Sequence, residues 1–593
     1  MKSFFSAFLG SCLGFLAGLF FLLVLFGAFV QGFMLLSGNQ KPVAEKSVLE
    51  MNLNISISEQ TTFDPLSSFD ILSLSALPSV GLDRILSSIE AAADDPHIEG
   101  IWLHTEQMSA GMATVNAIRN ALIAFKKSGK FIVSYADSYD QKAYYLATVS
   151  DHIFMPPTGS LSWRGLSIQT LYFKKLLDRF SIDLQPVRHG KYKSAVEPYM
   201  LDEMSLENRE QYSSLLTTLW GHMSDSVASA RNLTRDQLES WAGEQLLRDE
   251  RKAYELGMID SLIYLDQAEE IMALAAGSDN ECSTISLTHY MESLAVHSSV
   301  VSGKPAVAVV YASGDMVSGS ARAGEMGVET IRESLREAIK DQDVKSIVLR
   351  INSPGGSALA AEMLWREVSR AASNKPLVVS MGDYAASGGY YMALPAREIW
   401  ADPFTLTGSI GVFGLYPCLE TFLDQKIGVT PQSVTTHPSA DAGSLYRKMT
   451  PLEREWAEES VDRVYETFLG HVIENRGIGH ERADSLAEGR VWSGADALSL
   501  GLIDSLGGLD KTIARAATLA NLTDYGVKSW PKERGLFETL LSDVGFAVKS
   551  RFSVSNPLSQ IEIPAIKRVL RGGAGIQMRM AEGFEPVERL GFE

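Results

Sequence analysis

Apolar and polar positions change rhythm several times along this chain. From Ser3 to Gln40 there is no charged residue, and Phe4–Leu36 is dense in Phe, Leu, Val, Ala and Gly. A helix rising 1.5 Å per residue needs about 20 apolar residues to cross a bilayer, whereas a cleaved secretory signal has an apolar core of roughly 7–15. This run is longer and lacks a convincing cleavage site, so it predicts one uncleaved N-terminal transmembrane helix. Charge hardly orients it, because Lys2 lies on one side and Lys41 and Lys46 on the other. Past the head, Val48–Ile57 alternates in part and predicts a strand. Leu82–Ala93 predicts an amphipathic helix, Gly100–His104 a strand, Ala113–Phe125 a helix and Lys130–Tyr135 a strand. Later the order returns: helix at Ile331–Ile339, strand at Ser346–Ile351, helix at Ala358–Ala372, strand at Pro376–Met381. Strands alternating with helices in this way predict α/β units built on parallel sheets. Both stretches then turn helix-rich, over Ser205–Ala230 and Pro451–Asn475.

The recurrence extends to residues. Tyr144-Tyr145 match Tyr390-Tyr391 at a shift of 246 places, and Gln141 then falls where Ser387 stands. Thr158-Gly159-Ser160 matches Thr407-Gly408-Ser409, and Gly257-Met-Ile-Asp-Ser-Leu262 matches Gly501-Leu-Ile-Asp-Ser-Leu506. The chain reads as a duplicated fold whose copies keep the scaffold and exchange polar residues. Gly277–Lys304, mixed in polarity, reads as the linker between them. Beyond Asn521 the repeat stops. Gly535–Val548 carries a helical apolar stripe suited to packing against the body or a neighbouring subunit, ahead of membrane-surface contact. Arg571–Met580, with its Gly-Gly-Ala-Gly, reads as flexible.

Hydrophobic content of 46% across 593 residues is enough for large cores, and a net charge of -19 with no basic run argues against nucleic-acid partners. Three cysteines (Cys12, Cys282, Cys418) make neither a disulfide framework nor a CxxC metal pair. Too little hydrophobic sequence precedes Leu9-Gly-Ser-Cys12 for it to be a lipid-attachment box.

The candidate chemistry lies in copy two. Ser387 follows an expected buried strand and precedes Gly388-Gly389, a strand-to-helix turn where a hydroxyl projects beside backbone N–H groups. Thirty residues upstream, Ile351-Asn-Ser-Pro-Gly-Gly-Ser357 stands at the neighbouring strand end. Gly356 and Gly388 could thus offer N–H donors to one carbonyl oxygen. A serine needs a base. The nearest downstream histidine, His437, lies in a polar loop without a recognisable Asp partner. The better candidate is in copy one, in Lys191-Tyr-Lys-Ser-Ala-Val-Glu-Pro198, where Lys193 could serve if burial lowered its pKa. Lys191 is a rival that the residues alone do not exclude.

Together, Ser353-Pro-Gly-Gly356, Asp383-Tyr-Ala-Ala-Ser-Gly-Gly-Tyr390, Leu406-Thr-Gly-Ser-Ile-Gly411 and Lys191–Pro198 resemble the signal peptide peptidase A family in its long, duplicated bacterial form. The resemblance implies a Clp/crotonase-like fold in both copies and a Ser–Lys dyad. Ser387 would be the nucleophile, Lys193 the general base, Ser409 the residue holding the lysine, and Gly356 and Gly388 the oxyanion donors. It implies no metal or cofactor, a homotetramer, and a body on the outer (periplasmic) side of the cytoplasmic membrane. Cleaved signal peptides and other hydrophobic peptides would be the substrates. The expected layout is an anchor over 1–40, a first domain over 41–276, a linker over 277–303, a peptidase domain over 304–521 and a tail over 522–593. Two alternatives keep the fold: a crotonase-type acyl-CoA enzyme, which would need neither the anchor nor the dyad, and an inactive membrane scaffold, which would be expected to have lost it.

Overall fold

The computed structural model describes residues 43–532, except 62–68, 71–74, 77–78, 279–281, 298–302, 320 and 322–323, together with residues 14, 18, 21 and 576–579. The expected membrane span and the apolar stripe at 535–548 therefore fall almost wholly outside the described residues. Among the described residues no helix is long and apolar enough to cross a membrane.

Most periodic segments form the elements they predict, with ends moved by a few residues; Val48–Ile57 instead divides into two strands, Ser47–Asn52 and Ser56–Ser58, which pair in different sheets. Helices run over Leu82–Asp94, Met112–Phe125, Val328–Lys340 and Ala358–Asn374, and strands over Ile98–His104, Phe131–Tyr135, Val344–Ser353 and Leu377–Ala386. The two helix-rich stretches are single helices, Leu206–Arg231 and Pro451–Arg476, of 26 residues each.

Copy one carries a six-stranded, wholly parallel sheet in the order 261–262, 152–155, 131–135, 98–104, 47–52, 283–286. Its last strand, Ser283–Ser286, and the helix Leu287–His297 come from the segment expected to be linker. That strand is short and polar; it joins by backbone hydrogen bonds at a sheet edge, which hydropathy does not register. Copy two's eight-stranded sheet is centred on Ala306–Ser313, Val344–Ser353 and Leu377–Ala386, and Gly526–Trp530 adds an edge beyond the expected end at 521. Each sheet has its own core, one around Leu49, Ile101 and Ile153, the other around Val310, Leu349 and Ile399.

The duplication is visible bond by bond. Tyr144 donates to the Met258 carbonyl at 2.7 Å, and Tyr390 to the Leu502 carbonyl at 2.7 Å. Arg231 grips Asp260 and the Gly257 carbonyl, as Arg476 grips Asp504 and the Gly501 carbonyl. Lys130 reaches the carbonyls of Ala92 and Asp95, as Lys375 reaches those of Ala338 and Asp341.

Two features join the copies. One is a polar seam. Arg350 donates to Glu59 at 2.8 Å with both side chains buried, Thr114 Oγ1 donates to Asp383 at 2.7 Å, and Asn116 donates to Asp402 at 2.7 Å. The other is a shared sheet. The copy-one strand Asp183–His189 pairs antiparallel with the copy-two strand Val412–Cys418 over seven residues, from Asp183 opposite Cys418 to His189 opposite Val412. Within this sheet Ile576–Arg579, expected to be flexible, is a strand lying between Val412–Cys418 and Gly355–Ser357. Its order comes from pairing on both edges, which a glycine-rich local composition does not reveal.

Candidate active site

Ser387 ends the central strand Leu377–Ala386 and caps the short helix Gly388–Ala393. Its backbone is held at φ 54° and ψ -113°, a region that side-chain-bearing residues avoid at a cost of about 1–3 kcal/mol. Two hydrogen bonds hold it there: Ser387 N donates to the Gly408 carbonyl, and Tyr391 N to the Ser387 carbonyl, both at 2.8 Å. A Cβ on Gly389 would stand 2.8 Å from the Ser353 carbonyl oxygen, so the helix start is pressed against the 353–356 turn. Gly356 has φ +155°, and a Cβ there would meet the Met316 carbonyl at 2.2 Å. Only glycine lets these backbones come so close.

Lys193 arrives from the other copy. The pairing of His189 with Val412 sets the end of the copy-one strand three residues from Ser409. The chain turns at Gly190 (φ +99°), and Tyr192 N donates to the Glu488 carbonyl at 2.9 Å. A Cβ on Gly489 would lie 2.6 Å from Lys193 N, so here too two backbones touch. The side chain then runs inward. Lys193 Nζ lies 2.8 Å from Ser387 Oγ, 3.0 Å from the Ser409 carbonyl oxygen and 3.0 Å from Ser409 Oγ. Lys193, Ser387 and Ser409 are all buried, at 1%, 0% and 1% exposure.

Burial holds the Lys193 amine well below the usual lysine range. A neutral amine has two N–H donors and one lone pair. The three neighbours match that inventory: the two Ser409 oxygens accept, and the Ser387 hydroxyl donates. The rival lysine is elsewhere. Lys191 is more than half exposed and pairs with Glu488 at 3.2 Å, a contact that raises its pKa. His437 is exposed and bonds Thr436.

Several residues that support the lysine loop were not singled out in the sequence. Gln211 Nε2 donates to the Tyr192 carbonyl (3.1 Å) and to Ser194 Oγ (3.2 Å), while its Oε1 accepts from Val491 N. Arg188 donates to the Lys193 carbonyl at 3.3 Å. The fully buried Glu197 accepts from Ser205 Oγ at 2.6 Å and Asn208 Nδ2 at 3.1 Å. Glu197 stands inside the Lys191–Pro198 motif; Gln211 sits mid-helix, where no pattern marks it. In copy one the position equivalent to Ser387 is filled differently. Gln141 Oε1 accepts from Arg164 N and Gly165 N at 2.6 and 2.8 Å, and Nε2 donates to the Gly165 carbonyl. There the space beside the turn is taken up by the protein's own backbone.

Residues 124–279 and 369–523 each match Peptidase family S49, one stretch in each copy. This chain belongs to peptidase family S49. It is 34% identical to Protease 4 of Haemophilus influenzae over 77% of this chain and 77% of that protein. Identity is also 34% with Protease 4 of Salmonella typhi, over 79% and 76%. The chloroplastic serine protease SPPA of Arabidopsis thaliana is 34% identical over 81% of this chain and 70% of its own. As a member of S49 with protease 4 and SPPA relatives, the chain is a serine endopeptidase.

Proposed function

We propose that this S49 peptidase works through a Ser387–Lys193 dyad assembled across the two copies. The observation that carries the reading is the 2.8 Å separation of Lys193 Nζ and Ser387 Oγ in a buried seam. Neutral Lys193 accepts the Ser387 proton as Oγ attacks a peptide carbonyl. The N–H groups of Gly356 and Gly388 stabilise the oxyanion. The Lys193 ammonium then protonates the leaving amine, the peptide bond breaks, and an acyl-enzyme on Ser387 remains. Water, deprotonated by Lys193, hydrolyses it and restores the serine. Ser409 orients the amine through its carbonyl and hydroxyl oxygens.

The same reading gives both copies a Clp/crotonase-like fold, with the lysine domain over 41–276 and the serine domain over 304–521. The uncharged run before residue 40 would anchor the enzyme in the bacterial cytoplasmic membrane, with the body on its periplasmic side. There it would act, as a homotetramer, on cleaved signal peptides and other hydrophobic peptides. A serine-reactive fluorophosphonate or β-lactone probe should label the wild-type chain and neither Ser387→Ala nor Lys193→Ala. Undiminished labelling of either variant refutes the dyad.

A further inference from the structure

Glu59 crosses from copy one to the two copy-two strands that lead into the 353–356 turn and into Ser387. Its carboxylate accepts from Arg350 Nε at 2.8 Å and Nη2 at 3.1 Å, and Oε1 also accepts from Asn352 Nδ2 at 2.8 Å. The residue is 6% exposed. A Cβ on Gly382 would stand 2.4 Å from Glu59 Oε1, so the carboxylate lies directly against the backbone of the serine strand.

Strand register shows what is being held. Ile351 stands opposite Met381 and Ser353 opposite Ala385, so Asn352 alone faces three residues, 382–384. A bulge of this kind re-aims the chain that follows it, and here pairing resumes two residues before Ser387. Side chains take over as partners for the bulged backbone. Tyr384 N donates to Asn352 Oδ1 at 3.0 Å, and the Gly382 carbonyl accepts from Thr405 Oγ1 at 2.7 Å. Asn352 receives the Tyr384 N–H only with its amide oxygen turned that way, which turns its NH2 group to Glu59.

We propose that Glu59 is a positioning residue for peptide hydrolysis: by holding Asn352 across the bulge it sets the spacing between Ser387 and the 353–356 turn. The inference rests on the Ser387–Lys193 reading and gives copy one a part in that site beyond the lysine. Glu59 acts through Asn352 rather than on the substrate, and its ion pair with Arg350 keeps the buried carboxylate compensated. A displacement of about 1 Å between reacting groups costs on the order of 100-fold in rate.

The test leaves no unpaired charge behind. In an Arg350→Met background of the full chain, Glu59→Gln keeps an oxygen for Asn352 and Glu59→Met does not. Steady-state hydrolysis of a fluorogenic Leu/Ala-rich peptide is measured per folded molecule, with folding read by tryptophan fluorescence. The Glu59→Gln protein should show a kcat about 10- to 100-fold above that of Glu59→Met, with KM alike. A role confined to stability changes the folded fraction and leaves the two kcat values equal. Asn352→Ala alone, which keeps the Glu59–Arg350 pair, should lose kcat by a similar factor. Equal kcat for the two position-59 variants, or wild-type kcat in Asn352→Ala, overturns the proposal; the dyad stands as long as Ser387→Ala and Lys193→Ala are inactive in the same assay. Wild-type turnover by either of those overturns both.

Discussion

Replacing Lys193 with methionine separates the two consequences of a buried amine. Methionine has nearly the shape of the lysine stem, so packing against Gly411 and Gly489 is kept. The ammonium of an unfolded lysine loses its proton near pH 10.5. Keeping it neutral in the fold at pH 7.5 therefore costs about 1.4 kcal/mol per pH unit, or roughly 4 kcal/mol over three units. Its three hydrogen bonds return part of this, about 1–2 kcal/mol net once the serines are left unpaired in the variant. Lys193→Met should thus be more stable at pH 7.5 by about 2–3 kcal/mol while hydrolysing no peptide. The sign follows from proton counting. The folded wild type binds fewer protons than the unfolded chain between the depressed pKa and 10.5. Its stability rises with pH across that window and the cost disappears above it. Urea denaturation followed by tryptophan fluorescence, at half-unit steps from pH 7 to 10, should show the variant's advantage shrinking by about 1.4 kcal/mol per unit. A gap that stays constant with pH means that Lys193 remains charged in the fold, and the general-base argument fails with it.

Three further outcomes follow from other contacts. Ser409→Ala removes one of the amine's two Ser409 acceptors and leaves the carbonyl; kcat should fall about 10- to 100-fold with KM little changed, and an unchanged kcat in steady-state peptide hydrolysis would discount the orienting role. Burial pushes Asp402, at the seam with Asn116, up to about 7 from an ordinary 3.8, so the fold holds a proton that the unfolded chain releases, and stability falls as pH rises from about 4 to 7. Between pH 5 and 7 the wild type should lose about 2–3 kcal/mol more than Asp402→Asn, and parallel urea-denaturation curves would contradict this. Gln141→Ser in the Ser387→Ala background should restore no fluorophosphonate labelling, because no buried lysine is hydrogen-bonded at that position among the described residues; labelling would reveal a second working site.

Much of the molecule was legible without coordinates. Period and alternation found the main helices and strands because these bury one face or both in a core, and burial writes itself into residue type. The duplication was legible because Tyr144 and Tyr390, or Asp260 and Asp504, make the same bond in each copy. Ser387 and Gly356 were legible because strained or crowded backbone admits few residue types. The edge strands Ser283–Ser286 and Ile576–Arg579 were not, because backbone pairing at an edge asks little of the side chains.

By itself the sequence determined two α/β copies, their serine and glycine turns, and two candidate lysines two residues apart. Nothing local distinguishes Lys191 from Lys193. The family resemblance favours Lys193, and the tertiary structure supplies the physical difference: the antiparallel pairing of Asp183–His189 with Val412–Cys418 carries a copy-one loop into copy two, sending Lys191 to solvent and Glu488 and Lys193 to Ser387. The physical reason is that an amine's basicity depends on what surrounds it in space. Residues hundreds of positions away bury Lys193, and that burial lowers its pKa well below the usual lysine range.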